Sequence, residues 1–120
     1  MIRGIKFVTV PVRNQDRALK FYTEKLGFQI LTDQPLGSQR WIELGIPGAD
    51  TELVLFTSPG HEALIGQFQP LVFWSDNVQK SFKEMSDRGI EFLGPPKVEE
   101  WGTSATFKDS DGNQFLLSSR

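Results

Sequence analysis

In residues 12–28, VRNQDRALKFYTEKLGF, apolar positions recur every three or four residues: Ala18, Tyr22 and Leu26, joined by Leu19 and Phe21. This spacing gives one apolar stripe on a helix and predicts a helix over 15–26. Asn14 is suited to cap it, and Asp16 places a carboxylate in the first turn, where the helix dipole favours it. Gly27 ends it, because a left-handed backbone costs glycine nothing. The flanking sequence alternates with period two instead. Over 4–12, Val8, Val10 and Val12 share one face of a predicted strand and Phe7, Thr9 and Pro11 the other. Pro11 has no N–H, so its pairing must be one-sided or bulged. Residues 28–33 predict a return strand, and DQPLGSQ a turn-rich loop. Residues 39–45 predict a half-buried strand, with Ile42 and Leu44 directed one way and Trp41 and Glu43 the other. After the turn PGAD, residues 51–57 predict one more alternating strand.

The pattern then begins again. SPGHEALIGQ (58–67) is a linker with room for one helical turn. QPLVFWS is strand-like, with Leu71 and Phe73 on one face and Pro70, Val72 and Trp74 on the other. Asp76 or Asn77 caps a helix carrying Val78, Phe82 and Met85, and Gly89 closes it. IEFLG (90–94) predicts a strand and PPKVEEWG a stiff loop. SATFKD and QFLLS predict strands around the turn DSDGN. The segments from Asn14 to Gly27 and from Asp76 to Gly89 share one spacing, and Gly48 pairs with Gly112, setting Glu52 opposite Leu116. The chain thus reads as two βαβββ modules, about 4–57 and 68–118, in an α+β fold.

At 120 residues the chain suits one compact domain, or two small halves sharing a core. With no cysteine, disulfides, thiolate catalysis and cysteine metal sites are excluded. Net charge is −2, with 13 basic and 15 acidic residues and no basic cluster, which gives nucleic-acid binding no support. No apolar run reaches the ~18 residues of a membrane span, so a cytoplasmic location is expected. His61, the one histidine, falls in the linker with no orienting partner near it in sequence. A solvated loop residue is the simpler reading. DSDGN is too short for an EF-hand ligand set and reads as a hairpin turn.

RALKFYTEKLGF in the first half and FKDSDGNQF in the second resemble signatures of the vicinal oxygen chelate superfamily, which includes glyoxalase I, bleomycin-resistance proteins, fosfomycin-resistance enzymes and extradiol dioxygenases. The second departs from the usual DPDGN by carrying Ser110. The resemblance implies paired βαβββ modules whose mixed sheets join edge to edge in a curved half-open barrel, with helices outside and a ligand on the concave face. Catalytic relatives hold a divalent metal there with four side chains, two per module. Carried onto this chain, those positions fall at Phe7, Glu52, Pro70 (or Gln69, with one residue of slip) and Leu116. Only Glu52 is a conventional ligand, so neither a divalent metal nor another cofactor is expected.

The same resemblance gives the other candidates meaning. Phe7, Trp41 and Trp74 share the concave parity, with Phe56 somewhat above and Trp101 in the proline-led loop after Glu99 and Glu100. These rings could line a cleft for a flat or apolar ligand, or fill the core or an interface. Glu52 is directed into the concavity and could accept a hydrogen bond or act as a general base, or pair with a lysine or arginine. Glu43 shares the parity of Trp41 and adds a second carboxylate, and Arg40 flanks the same ring. Acidic groups among rings favour a cationic aromatic ligand. The expectation is a metal-free small-molecule-binding protein. Its relatives commonly dimerise, so a homodimer is expected. The alternatives are an enzyme (a lyase, isomerase or dioxygenase with a metal, or with Glu52 as base) and a structural module.

Overall fold

The computed structural model describes all residues, Met1–Arg120. The chain folds as two compact units, Met1–Ile65 and Gly66–Arg120. Each carries the order strand, helix, three strands, so the fold is α+β with a repeated βαβββ module.

In the first unit, β1 (Phe7–Val10), β2 (Gln29–Leu36), β3 (Gln39–Gly45) and β4 (Glu52–Leu55) form one sheet in the order β1-β4-β3-β2. β1 and β4 run parallel, with Phe7 opposite Glu52 and Val10 opposite Leu55, and the remaining pairs are antiparallel. β1 is an edge strand and ends just before Pro11, so the missing N–H costs no ladder bond. The strand is shorter than the expected 4–12. The predicted loop over 33–39 is instead mostly strand. β2 continues through Pro35 to Leu36 and returns through Gly37 and Ser38, because an edge strand tolerates proline and Gly37 supplies φ +62°.

The helix begins as expected. The Asn14 side chain accepts from the Arg17 N–H at 2.9 Å, and α1 spans Gln15–Lys20. The next turn, Phe21–Lys25, widens to π geometry, with Leu26 N–H donating to the Phe21 carbonyl. Thr23 explains the local change: its hydroxyl donates to the Leu19 carbonyl at 2.7 Å and competes for an acceptor of the α ladder. Gly27 then ends the helix at φ +76°. The buried set of this unit is largely aliphatic: Val10, Ile42, Leu44, Leu53 and Leu55, with Ala18 and Tyr22 from the helix. Gln15 ties helix to sheet. Its Nε2 donates to the carbonyls of Arg40 and Leu55, and its Oε1 accepts from the Arg40 N–H.

The second unit repeats the plan with β5 (Phe68–Ser75), α2 (Val78–Asp87), β6 (Lys97–Glu99), β7 (Gly102–Lys108) and β8 (Gln114–Ser119), in the sheet order β5-β8-β7-β6. Of the two candidate caps, Asn77 is the one used, accepting from the Lys80 N–H at 3.0 Å. The core here is phenylalanine-rich: Phe115 stands 5.3 Å from Phe73 and 5.6 Å from Phe107, centroid to centroid. Asp109 organises the DSDGN turn by accepting from the N–H groups of Asp111 and Asn113.

The expected strand over 90–94 is corrected. Phe92 makes a single bridge to Phe107, and the strand proper lies at Lys97–Glu99, inside the predicted loop. Two consecutive prolines, Pro95 and Pro96, cannot donate to a ladder, so pairing with β7 stops before them and resumes after.

Candidate functional site

Strand parity sorts the first sheet into two faces. One carries Val10, Ile42, Leu44, Leu53 and Leu55, all fully buried. The other carries Phe7 on β1, Trp41 and Glu43 on β3, Glu52 and Val54 on β4, and Phe56 just beyond it. The structure therefore gathers five of the seven predicted site residues on one face. Trp41 is central: its ring meets Phe7 edge-on at 5.5 Å and Phe56 at 5.2 Å. All three rings remain half-buried. Val54 shares this face and is fully covered.

The polar groups on this face form a chain. Trp41 Nε1–H donates to Glu43 Oε1 at 2.8 Å, and the Glu43 and Glu52 carboxyls lie close enough to perturb each other's titration. Two carboxylates offer only acceptors, so a bond between them requires one proton. Glu43 is held below the usual carboxylate range, first by the Trp41 indole, then by Glu52, with Lys6 assisting. Glu52 is pushed up, first by its bond to Glu43, then by desolvation and the Glu43 charge, against the pull of Lys6. A proton taken up by the pair therefore favours Glu52, and the two titrate together. Sequence parity found both acids but neither Lys6 nor the indole bond.

Arg40, expected to flank Trp41, turns to the opposite face. There its guanidinium pairs with Asp33 at 2.8 Å and with Asp16 in the first turn of α1, which holds Asp33 low and raises Arg40 itself. The other two predicted rings belong to the second unit. Trp74 is 54% exposed on β5, with the Arg120 guanidinium 4.7 Å from its centroid. Trp101 is exposed in the turn between β6 and β7, next to Glu99 and Glu100. His61 is exposed and precedes a single 3₁₀ turn, Glu62–Leu64.

The register also revises the matching of the two modules. Phe7 precedes the cap Asn14 by the same interval at which Pro70 precedes Asn77, so those two positions correspond. Val10 pairs with Leu55 and Phe73 pairs with Leu117, which makes Leu116 the counterpart of Val54 rather than of Glu52. The glycine-to-glycine alignment erred by two residues because it matched turns of different length. The four positions corresponding to a metal site are then Phe7, Pro70, Leu116 and either Val54 by register or Glu52 by sequence. None of the first three carries a donor, and the protein has no group of three or more His, Cys, Asp or Glu side chains able to hold an ion. The residues present do not fit the metal that the fold implies.

A family model described as the Glyoxalase/Bleomycin resistance protein/Dioxygenase superfamily matches residues 4–117. The chain belongs to this superfamily. Among solved structures, it aligns with TnmS3, an antibiotic binding protein from Streptomyces sp. CB03234, at TM-score 0.84 and 34% identity, covering 98% of this chain and 96% of that one. A superfamily member from Sphaerobacter thermophilus DSM 20745 aligns at TM-score 0.88 and 29% identity, over 99% and 98%. In sequence, the uncharacterized protein YetH of Bacillus subtilis (strain 168) is 40% identical, over 98% of both chains. No helix is long and apolar enough to cross a membrane.

Proposed function

We propose that this superfamily member is a small-molecule-binding protein that takes a partly aromatic, cationic ligand on the open face of its first sheet without metal chemistry. The observation that carries the reading is the meeting of Phe7, Trp41 and Phe56 with the Glu43–Glu52 pair on one face, in a chain with no cluster of three or more metal-ligating side chains. Half-buried rings offer stacking surface, and the pair offers negative charge beside it. A cation over such a ring gains roughly 0.5–2 kcal/mol. The resemblance to an antibiotic binding protein at 34% identity supports the same class of activity.

A cytoplasmic homodimer belongs to the reading. β2 supports the dimer: it is an edge strand of its sheet, and Ile30, Leu31 and Leu36 on it are half exposed.

Thermal melting with benzyltrimethylammonium, against neutral benzyl alcohol, tests the proposal. A ligand that binds only the native state stabilises it by about 2.7 kcal/mol at a hundredfold excess over Kd. The cation should raise the melting temperature more than the alcohol does, and Trp41→Ala should remove that rise. Equal shifts for both probes, or a shift that survives Trp41→Ala, would refute the site.

The raised Glu52 favours one second reading, an acid–base enzyme with Glu52 as the proton-transfer group. Turnover of any bound compound that disappears in Glu52→Gln while binding persists would favour that reading over the binder.

A further inference from the structure

The break in the second sheet leaves a hollow beside it. Where Pro95 and Pro96 interrupt pairing with β7, a cavity of about 250 Å³ opens, lined by Leu93, Gly94, Pro95, Lys97, Ser104, Ala105 and Thr106. It lies wholly within the second unit and shares no residue with the Trp41 site.

Its lining includes several groups able to donate. The Thr106 carbonyl accepts from the Leu93 N–H at 2.9 Å, so Thr106 turns its backbone groups toward the interrupted strand, and its own N–H finds no backbone partner there. The hydroxyls of Ser104 and Thr106 make no hydrogen bond within the protein, and Lys97 makes no ion pair. Lys97 stands opposite Ser104 in the ladder, and Ser104 and Thr106 share one face of β7, so the ammonium and both hydroxyls belong to one side of the sheet. Leu93, Pro95 and the Ala105 backbone supply the rest of the wall.

We propose that this hollow binds a small monoanionic carboxylate, received by the Lys97 ammonium, the Ser104 and Thr106 hydroxyls and the Thr106 amide, with its apolar body against Leu93 and Pro95. One lysine supplies one positive charge, which matches a carboxylate better than a dianionic phosphate. Hydroxyl and amide donors satisfy the two oxygens, and the volume limits the guest to about the size of a single ring.

The test is amide NMR of the full chain with sodium benzoate, inorganic phosphate and benzyl alcohol as probes. Benzoate should move the Thr106 amide saturably in the millimolar range and leave the Trp41 indole N–H unmoved, which separates this site from the one proposed above. Lys97 is exposed, so Lys97→Met should fold normally and weaken benzoate at least tenfold, and Lys97→Arg should restore most of the affinity. Thr106→Val should weaken it several-fold. The proposal is overturned if benzoate does not saturate, if Lys97→Met binds as the parent does, or if phosphate or benzyl alcohol binds as tightly as benzoate.

Discussion

The two modules share a plan and invert its chemistry. The first buries aliphatic residues on the helix-facing side of its sheet and leaves Phe7, Trp41 and Phe56 half exposed on the other. The second spends its rings on the core, where Phe73, Phe107 and Phe115 pack within 6 Å of one another, and leaves Ser104, Thr106, Val72 and Leu116 on its open side. The open faces differ in charge as well. Glu43 and Glu52 mark the first, while Lys97, and Arg120 over Trp74, mark the second. A duplicated fold therefore fixes where side chains stand and leaves their chemistry free to diverge, which is why membership of the superfamily does not by itself assign an activity.

The largest effects should come from truncating rings on opposite sides of this inversion. Phe115→Ala empties a fully buried site and should cost about 3–5 kcal/mol in denaturant unfolding. Trp41→Ala removes a larger ring from a half-exposed position and should cost about 1 kcal/mol while abolishing ligand-induced stabilisation. Comparable losses in the two variants would mean that Trp41 is core, and the contrast between the modules would fail.

The Gln15 clamp comes next, because the second module has no counterpart to it at Val78. Gln15→Leu leaves the Arg40 N–H and two carbonyls without their partner and should cost about 1–3 kcal/mol. The two caps should be smaller and equal. Asn14→Ala and Asn77→Ala each remove one side-chain bond to a helix N–H, worth about 1 kcal/mol apiece. Unequal losses would show that the π turn after α1 changes how its first turn is held.

Much of this was legible in the sequence, and the illegible parts share a cause. Helical spacing, the Asn14 cap, the narrowing of the second cap to Asp76 or Asn77, and the parity that gathers Phe7, Trp41, Glu43, Glu52 and Phe56 are local properties of short stretches. Apart from the π turn at Thr23, the main errors involve a partner strand. Pro35 stays in β2 because that strand is an edge, and Lys97 joins a sheet because β7 offers an unpaired side beyond the double proline. Leu116 matches Val54 because β5 shifts register between Phe68 and Val72, which no turn-to-turn count could reveal. Arg40 faces away from Trp41 by simple alternation, yet its partners Asp16 and Asp33 come from two other elements.

The smallest effect tests the acidic face by pH. Glu52 is raised by its bond to Glu43, so its contribution to stability is present below its unfolded pKa and is lost as pH rises through the folded value. Glu43 is lowered, first by the Trp41 indole, so its contribution is present above its unfolded pKa and is lost as pH falls through the folded one. As pH rises through the folded Glu52 value the shared proton is lost, and two like charges face each other. Glu52→Gln keeps a donor to Glu43 at every pH. Its melting temperature should exceed that of the parent at pH 7, and the gap should narrow toward pH 4, because the upward shift keeps the proton on Glu52 as pH falls. Trp41→Phe should act in the other direction, removing the indole that favours the Glu43 charge and so lowering stability more at pH 7 than at pH 4. If Glu52→Gln melts with the parent at both values, the carboxyls do not share a proton, and the first module's open face carries two independent charges instead of one tuned pair.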